Sequence, residues 1–248
     1  MEIVYWLLAS ALGYLAGSLS GARIIVRLFA PQHNLDGLQV EVPGSQARFQ
    51  SDVISATTVR LQLGSRYGCL TAILDMIKAA LPALLFRFWL PAGSYYLAAA
   101  GMATVGHIWP LYHRFKGGRG MSPILGGMLV VDWLGVIVTQ LIGAFSGILT
   151  KNYLLMIGTG TALMIPWTWF RTRSWPEIIY LLAMNLLFWY AMGPEVREFK
   201  RLKQEGGLEE FSQSEQVRII GRQGQEITPA LRVTNIRDWV RTLFNQPE

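Results

Sequence analysis

The part of the chain with the most distinctive chemistry is a glycine-rich turn that carries two cations. Three glycines in four positions allow consecutive backbone N–H groups to turn toward one point, and the basic side chains add positive charge, so the turn is predicted to bind a phosphate. Its residues are Lys116, Gly117, Gly118, Arg119 and Gly120. The spacing differs from that of a Walker loop. A basic turn between two membrane helices has the same composition, and the residues alone leave both interpretations open.

Asp75, Lys78 and His107 are ionisable residues that lie inside or at the end of apolar stretches. A charge at the centre of a bilayer costs at least ~2.5–3.5 kcal/mol, so such groups tend to face a partner or a wet cavity. Asp75 and Lys78 stand three residues apart and are predicted to pair on one helix face. The alternatives are a pair that only joins helices and a histidine that only packs between them.

A second polar segment precedes the second apolar stretch. Its hydroxyl residues are Ser51, Ser55, Thr57 and Thr58, and Arg60 follows them. Hydroxyls in this position cap the next helix or bind a phosphate. Composition alone favours capping, because serine and threonine side chains bond readily to nearby backbone N–H groups.

The composition indicates that these groups are positioned by membrane helices. Of the 248 residues 52% are hydrophobic and only 15% are charged, whereas roughly a quarter are charged in a typical soluble domain. About 20 apolar residues in a helix cross a bilayer. The stretches that approach this length are Ile3–Phe29, Gly68–Leu90, Tyr95–Tyr112, Ser122–Leu149, Tyr153–Phe170 and Glu177–Met192. The expected fold is therefore an all-α, multi-pass integral membrane protein.

The number of crossings depends on one long stretch and on the distribution of charge. Ser122–Leu149 is longer than one crossing needs and carries Asp132 near its middle, so it is predicted to be two short or tilted segments. That makes seven crossings. Lys and Arg cluster in residues 30–67, 114–119 and 197–203, and cytoplasmic loops are rich in these residues. Only an odd number of crossings puts all three clusters on one side. We expect an external N-terminus and a cytoplasmic C-terminus in the plasma membrane.

Several classes of protein are excluded by charge and cysteine content. The net charge is +6, but long apolar runs separate the basic residues, so no nucleic-acid-binding face is expected. Cys69 is the single cysteine, which rules out an internal disulfide and a cysteine metal site. No metal site is predicted. After Gly193 the sequence becomes polar, so we expect a membrane domain over residues 1–192 and a cytoplasmic tail over 193–248, the tail being a candidate site for a protein partner.

Taken in order, five segments resemble the PlsY-type glycerol-3-phosphate acyltransferases. The first is similar to the family's G-Y-L-L-G-S-I-P-F-G, the second to its G-S-G-N-x-G-A-T-N-V-L-R-x-x-G, and the third to its G-x-x-x-x-x-L-D-x-x-K-G. The last two are similar to G-H-x-F-P and F-K-G-G-K-G-V-A-T. These segments are Gly13–Gly21, Gln50–Gly64, Gly68–Ala79, Gly106–Pro110 and Phe115–Ser122.

The departures from the family pattern are equally specific. Val53 and Thr58 replace two asparagines, and the family's arginine position holds Leu61 with Arg60 beside it. Arg119 stands for a lysine. At the C-terminal end the family's H-R-x-N-I-x-R-L has only residues 192–202 as a counterpart, and these contain neither histidine nor asparagine.

The resemblance implies acyl transfer from acyl phosphate to the 1-hydroxyl of glycerol 3-phosphate, which gives lysophosphatidate for phospholipid synthesis. It implies that Lys116 to Gly120 hold a substrate phosphate with the help of Arg60. Ser51 and His107 are the expected catalytic residues, Ser51 by orienting a phosphate or the attacking hydroxyl and His107 by supporting the turn. No cofactor is expected, and the partners are the two substrates and membrane lipid.

Two other interpretations stay open from the sequence. One is a diverged homologue, catalytically weak or silent, that binds a phospholipid precursor or a partner protein. The other is a small transporter or channel, although broken spans repeated in two halves, which are typical of transporters, are not evident.

Overall fold

A computed structural model describes residues 1–32, 38–41, 48–51, 53–150 and 153–204. Within these ranges the chain forms eight α-helices, one short 3₁₀ helix at Leu111–His113 and one β-hairpin. The helices are α1 Glu2–Gly17, α2 Gly21–Phe29, α3 Ala56–Leu63, α4 Ser65–Trp89, α5 Tyr95–Ile108, α6 Met121–Thr150, α7 Tyr153–Thr172 and α8 Trp175–Gln204. The antiparallel strands are β1 Leu38–Glu41 and β2 Arg48–Ser51, with Leu38 opposite Ser51.

The architecture confirms the predicted all-α membrane fold, to which the hairpin is a small addition. Four helical stretches are long and apolar enough to cross a membrane: Glu2–Phe29, Ser65–Trp89, Met121–Thr150 and Trp175–Pro194. Large apolar side chains such as Leu141, Phe145 and Leu186 are exposed on the outside of the bundle, as expected for a surface that faces lipid. The count of seven crossings stays a prediction.

The predicted first span is interrupted near its middle. The apolar stretch over residues 3–29 consists of two helices, because α1 ends at Gly17 and α2 begins at Gly21. Ser20 has an extended backbone, and its hydroxyl accepts a hydrogen bond from the Arg23 N–H at 3.3 Å. A serine in this position satisfies one of the free N–H groups at a helix start. The predicted first span is therefore present as two helices joined at residues 18–20.

The break predicted near Asp132 is present in α6. The backbone of Asp132 is extended, with φ −156° and ψ 97°, and its Oδ1 accepts a hydrogen bond from the Gly135 N–H at 2.9 Å. Asp132 therefore caps the second half of the helix. On the other side of the break, the Arg87 guanidinium donates to the Val130 carbonyl. Arg87 of α4 therefore contacts the break directly.

Close contact between α1 and α5 depends on residues without side chains. A Cβ on Gly17 would meet the backbone of Ala103, and a Cβ on Gly106 would meet the Tyr14 carbonyl. The Tyr14 hydroxyl donates to the Trp109 carbonyl at 3.0 Å, across 95 residues of sequence. In a membrane, where lipid is as apolar as leucine, small residues of this kind allow helices to associate through close packing.

The last helix continues past the predicted domain boundary. α8 reaches Gln204 and contains Pro194, so residue 192 lies inside a helix. The division into a membrane domain and a tail stays a prediction. Residues 205–248, which make up most of the predicted tail, lie outside the described residues.

Candidate active site

The glycine-rich turn folds back onto the end of α5. Two residues with positive φ reverse the chain, Arg114 at 52° and Phe115 at 60°. The Gly118 N–H then donates to the His107 carbonyl at 3.1 Å. Since His107 lies in the last turn of α5, this bond satisfies one of the carbonyls that a helix end leaves without a partner.

The return of the turn to α5 leaves no room for a side chain at two of its glycines. A Cβ on Gly117 would meet the backbone carbonyl oxygens of His107 and Ile108. A Cβ on Gly118 would meet the imidazole ring of His107, with Nε2 as the nearest atom. The turn therefore needs glycine at both positions for steric reasons, whether or not a ligand is bound.

A backbone hydrogen bond joins the turn to the second polar segment. The Ile54 N–H donates to the Gly117 carbonyl at 3.2 Å. Directly after Ile54, the Ser55 hydroxyl accepts from the Thr58 N–H at 3.4 Å, and the Thr58 hydroxyl donates to the Val53 carbonyl at 2.6 Å. The capping role favoured by composition is confirmed for Ser55. The two polar segments predicted to bind phosphate thus form one continuous structure.

Asp75, Lys78 and His107 form a buried network below the turn. Lys78 Nζ lies 2.9 Å from Asp75 Oδ1 and 2.9 Å from His107 Nδ1. It also donates to the Leu19 carbonyl at 2.6 Å, in the break between α1 and α2. His107 Nδ1 is 3.6 Å from Asp75 Oδ1. One ammonium group therefore links α4, α5 and the end of α1.

A small cavity of about 50 Å³ lies beside this network. One wall is polar and comes from the start of α3, from α4, α5 and the turn, and from the start of α6. The other wall is apolar and comes from α7 and α8. The polar wall contains Ser55, Thr57, Asp75, His107, Arg119, Gly120 and Ser122. The apolar wall contains Ile157, Phe188 and Met192. The lining of this cavity is chemically suited to a group that is charged on one side and apolar on the other.

The electrostatic environment at this end of the bundle favours an anion. Met121 and Ser122 are the first residues of α6 and line the cavity, and a helix N-terminus carries partial positive charge. Arg119 adds a full positive charge. The field extends to the 3₁₀ helix, where burial and the charges of Arg23 and Lys78 lower the pKa of His113.

The predicted site residues differ in their relation to the cavity. His107, Arg119 and Gly120 line it, whereas Lys116 is exposed on the outside of the turn. Arg60 lies on α3, where a Cβ on Gly68 of α4 would meet it, and it is not among the lining residues. Ser51 ends β2, and its side chain lies outside what the structure describes. Within the described ranges no three His, Cys, Asp or Glu side chains gather in a way that suits a metal ion.

Two parts of the cavity wall were not predicted as site residues. Ser122 follows the glycine-rich turn directly, and its place at the start of an apolar stretch was a usable signal for a helix N-terminus. Ile157, Phe188 and Met192 look like any other apolar residues of α7 and α8. No sequence signal distinguishes them, because their role depends on how the helices pack.

Comparison with known proteins gives a family match over most of the chain. A family model described as glycerol-3-phosphate acyltransferase matches residues 7–201. This range runs from α1 into the last turns of α8 and contains every residue of the cavity wall. It confirms the resemblance inferred from the five sequence segments.

Curated relatives carry the same description. The glycerol-3-phosphate acyltransferase of Erwinia tasmaniensis is 31% identical over 69% of this chain and 76% of its own length. The relatives from Myxococcus xanthus and Aquifex aeolicus are 36% and 31% identical, over 48% and 50% of this chain. The chain spans 57% and 63% of the length of these two relatives, which is less than two thirds of either.

Solved structures support the fold independently. Two crystal structures of PlsY (YgiH), an integral membrane glycerol 3-phosphate acyltransferase, superpose with a TM-score of 0.65 and cover 79% of this chain and 92% of theirs. One is the glycerol 3-phosphate form and the other the lysophosphatidic acid form, at 20% and 21% sequence identity. Given the family match over residues 7–201 and the shared membrane fold, this chain belongs to the glycerol-3-phosphate acyltransferase family.

Proposed function

We propose that this protein transfers an acyl group from acyl phosphate to the 1-hydroxyl of glycerol 3-phosphate and releases lysophosphatidate and inorganic phosphate. The observation that carries the proposal is the cavity with one cationic, N–H-rich wall and one apolar wall. Both the donor and the product combine a phosphate with an acyl chain, so each has a part that suits either wall. The names of the relatives point to the same acceptor.

The reaction is compatible with a site that holds no strong base. The hydroxyl oxygen of glycerol 3-phosphate attacks the acyl carbon, the new ester C–O bond forms, and the bond between the acyl carbon and the phosphate oxygen breaks. The hydroxyl proton passes to the leaving phosphate. Because acyl phosphate is already activated, orientation of the two substrates and stabilisation of the developing oxyanion supply the rate.

Positive charge and backbone donors supply that stabilisation. Arg119 and the N-terminus of α6 face the cavity and bind a substrate phosphate. Lys116 extends from the same turn and attracts the second phosphate from the aqueous side. Arg60 and Ser51 assist on the side of α3 and β2. The apolar wall holds the first carbons of the acyl chain next to the lipid.

The proposal places the reaction at the cytoplasmic face of the plasma membrane. The basic residues of the turn and of residues 197–203 support this side, because Lys and Arg accumulate in cytoplasmic segments. With an external N-terminus, glycerol 3-phosphate reaches the cavity from the cytoplasm and the acyl donor reaches it with its chain in the bilayer. The segment after Gly193 extends into the cytoplasm and is available to a protein partner.

A direct assay tests the proposed reaction. Purified protein in detergent is given acyl phosphate and labelled glycerol 3-phosphate, and labelled lysophosphatidate is measured. We expect turnover in the wild type and at least a tenfold loss of kcat/KM in Arg119→Ala, since removing one donor to a developing anion typically costs about 10²–10³-fold.

Arg114→Ala is the matched control for this variant. Arg114 is exposed, lies in the same turn and does not line the cavity, so its removal changes the net charge equally without changing the site. Both variants are checked for monodisperse elution before the assay. Equal activity in the two variants contradicts the role of Arg119, and the absence of any lysophosphatidate with the wild-type protein contradicts the function.

A second candidate function is a binding homologue without turnover. The observation in its favour is that no histidine follows His113 in the sequence, so the family's C-terminal histidine has no replacement. A positioned acid–base group contributes typically about 10²–10⁴-fold. Binding of glycerol 3-phosphate without any lysophosphatidate in the assay above would support this candidate.

A further inference from the structure

The environment of His107 fixes which of its ring nitrogens carries a proton. Lys78 Nζ lies 2.9 Å from His107 Nδ1 and 2.9 Å from the Asp75 carboxylate. An amine held this close to a carboxylate is an ammonium ion, which has three donors and no acceptor. Nδ1 must therefore accept the hydrogen bond from Lys78. A neutral imidazole whose Nδ1 is an acceptor carries its proton on Nε2.

The geometry of Lys78 leaves little freedom for another arrangement. A second N–H of the ammonium is donated to the Leu19 carbonyl at 2.6 Å, so the group is anchored on a different element from the histidine. The side chain of Lys78 is 9% exposed and that of Asp75 is 2% exposed. The positive charge is compensated inside the network, which removes any need for His107 to be an imidazolium ion.

The opposite ring nitrogen faces the glycine-rich turn. His107 Nε2 is the atom nearest to the place that a Cβ on Gly118 would occupy, and His107 is part of the cavity wall. In the part of the chain that the structure describes, Nε2 has no hydrogen-bond partner. An N–H on Nε2 is therefore available to an acceptor in the cavity.

We infer that Lys78 is a positioning residue that holds His107 as the neutral tautomer with its proton on Nε2, and that this N–H donates to a phosphoryl oxygen in the cavity. In this arrangement His107 has no lone pair available to remove a proton from the acceptor hydroxyl. It is a hydrogen-bond donor and not a general base. The phosphoryl class of ligand rests on the proposed function, whereas the tautomer follows from the network alone.

The tautomer is measured on the intact protein without substrate. The full chain is labelled with ¹⁵N-histidine in detergent, and the His107 signals are identified by their loss in His107→Gln. We expect a protonated Nε2 and an unprotonated Nδ1 in the wild type, and a mixture of tautomers in Lys78→Met. A protonated Nδ1, or an imidazolium ion, in the wild type at neutral pH overturns the inference. This readout is independent of catalysis.

The donor is tested by phosphate binding. A glutamine at position 107 keeps an N–H near the place of Nε2, whereas a leucine keeps bulk without a donor. The loss of one hydrogen bond to a charged group typically lowers binding affinity by about 10- to 100-fold. We therefore expect His107→Leu to weaken the binding of inorganic phosphate or glycerol 3-phosphate by this factor and His107→Gln to stay within about threefold of the wild type.

Two comparisons make the binding result decisive. His113→Leu, which removes a histidine outside the cavity, should leave both affinities unchanged. If His107→Leu loses affinity for glycerol 3-phosphate alone, the Nε2–H bonds to the phosphoryl group of the acceptor. If it loses affinity for inorganic phosphate, the Nε2–H bonds to the phosphate that leaves the acyl phosphate. Equal affinities in His107→Leu and His107→Gln overturn the donor role. If acyl transfer is absent while these results hold, only the proposed reaction is wrong.

Discussion

Gly118 is the residue at which the glycine-rich turn should tolerate least change. Its Cβ would meet the ring of His107, with Cε1 at 2.8 Å and Cδ2 at 3.1 Å. The ring cannot swing away without breaking the contact between Nδ1 and Lys78. We therefore expect Gly118→Ala to weaken glycerol 3-phosphate binding about tenfold or more, since overpacking typically costs 1–3 kcal/mol. Titration of the purified variant with glycerol 3-phosphate measures the change in affinity.

Gly101→Ala is the control for the change at Gly118. Gly101 lies in the same helix as His107, and a Cβ there would find its nearest neighbour, Met184 Cε, at an ordinary 3.5 Å. Binding should be unchanged in this variant. Wild-type affinity in Gly118→Ala would mean that the ring and the turn can separate without affecting the site.

The residue-level chemistry was only partly predictable from the sequence. Three close glycines and two cations indicated the turn, because backbone freedom and charge are properties of residue type. The i, i+3 spacing indicated that Asp75 and Lys78 pair. The contact between Lys78 and His107 was not predictable, since the two residues are 29 positions apart and meet only through the rotation and packing of α4 against α5.

At the scale of helices, the interface of α1 with α5 should fail when a side chain is introduced. Gly17→Leu would push against the Ala103 backbone, and a backbone cannot move as a flexible side chain can. We expect this variant to lower the free energy of unfolding by about 1–3 kcal/mol or more. The measurement is thermal unfolding in detergent, followed by loss of the monodisperse species.

Gly193→Ala provides the comparison for a glycine inside a helix without a close neighbour. A Cβ on Gly193 would meet nothing within 4 Å, and alanine in a helix interior is roughly 0.5–1 kcal/mol more favourable than glycine. This variant should be as stable as the wild type or slightly more stable. If Gly17→Leu were equally stable, the close approach of α1 and α5 would not hold in solution.

The break in α6 should depend on the side chain of Asp132. Its Oδ1 caps the second half of the helix, and its Oδ2 accepts from Trp167 Nε1 at 3.0 Å and pairs with Arg171 Nε at 3.0 Å. Asp132→Ala should cost about 1–2 kcal/mol, because a lost cap typically costs ~1 kcal/mol and Trp167 loses its acceptor. Chemical unfolding in mixed micelles measures this cost.

Asp132→Asn separates the cap from the charge. Asparagine is as good a cap as aspartate, and Arg171 is about half exposed, so its ion pair contributes little. The asparagine variant should therefore lose clearly less stability than the alanine variant. An equal loss in the two would assign the stability to the ion pair.

The two helix breaks show what a sequence can reveal at this scale. A charge in the middle of a long apolar stretch is costly in lipid, so Asp132 was a recognisable signal. Ser18 and Ser20 gave no such signal, because single serines are common in membrane helices that continue past them. The break at Gly17–Gly21 is instead determined by capping and by the contact of Leu19 with Lys78.

For the whole molecule, the predicted seven crossings lead to a test of topology. Reporter fusions after residues 120 and 210 should both report the cytoplasm, because Lys and Arg cluster near both positions and accumulate in cytoplasmic segments. A fusion after Arg173, between α7 and α8, should report the outside. Opposite locations for the first two fusions would mean an odd number of crossings between residues 120 and 210. The predicted total of seven crossings would then be wrong.

The contacts of α1 also determine an order of events during synthesis. Tyr14 bonds to Trp109 across 95 residues, and the Ser18 hydroxyl accepts from the Leu111 N–H across 93. A ribosome adds about 5–20 residues per second, so α1 is complete roughly 5 to 20 s before the residues that it contacts exist. During this interval its glycine face has no native partner. The newly made helix therefore stays in the lipid or beside the insertion machinery during this interval. The site is assembled only when the first and third apolar stretches come into contact.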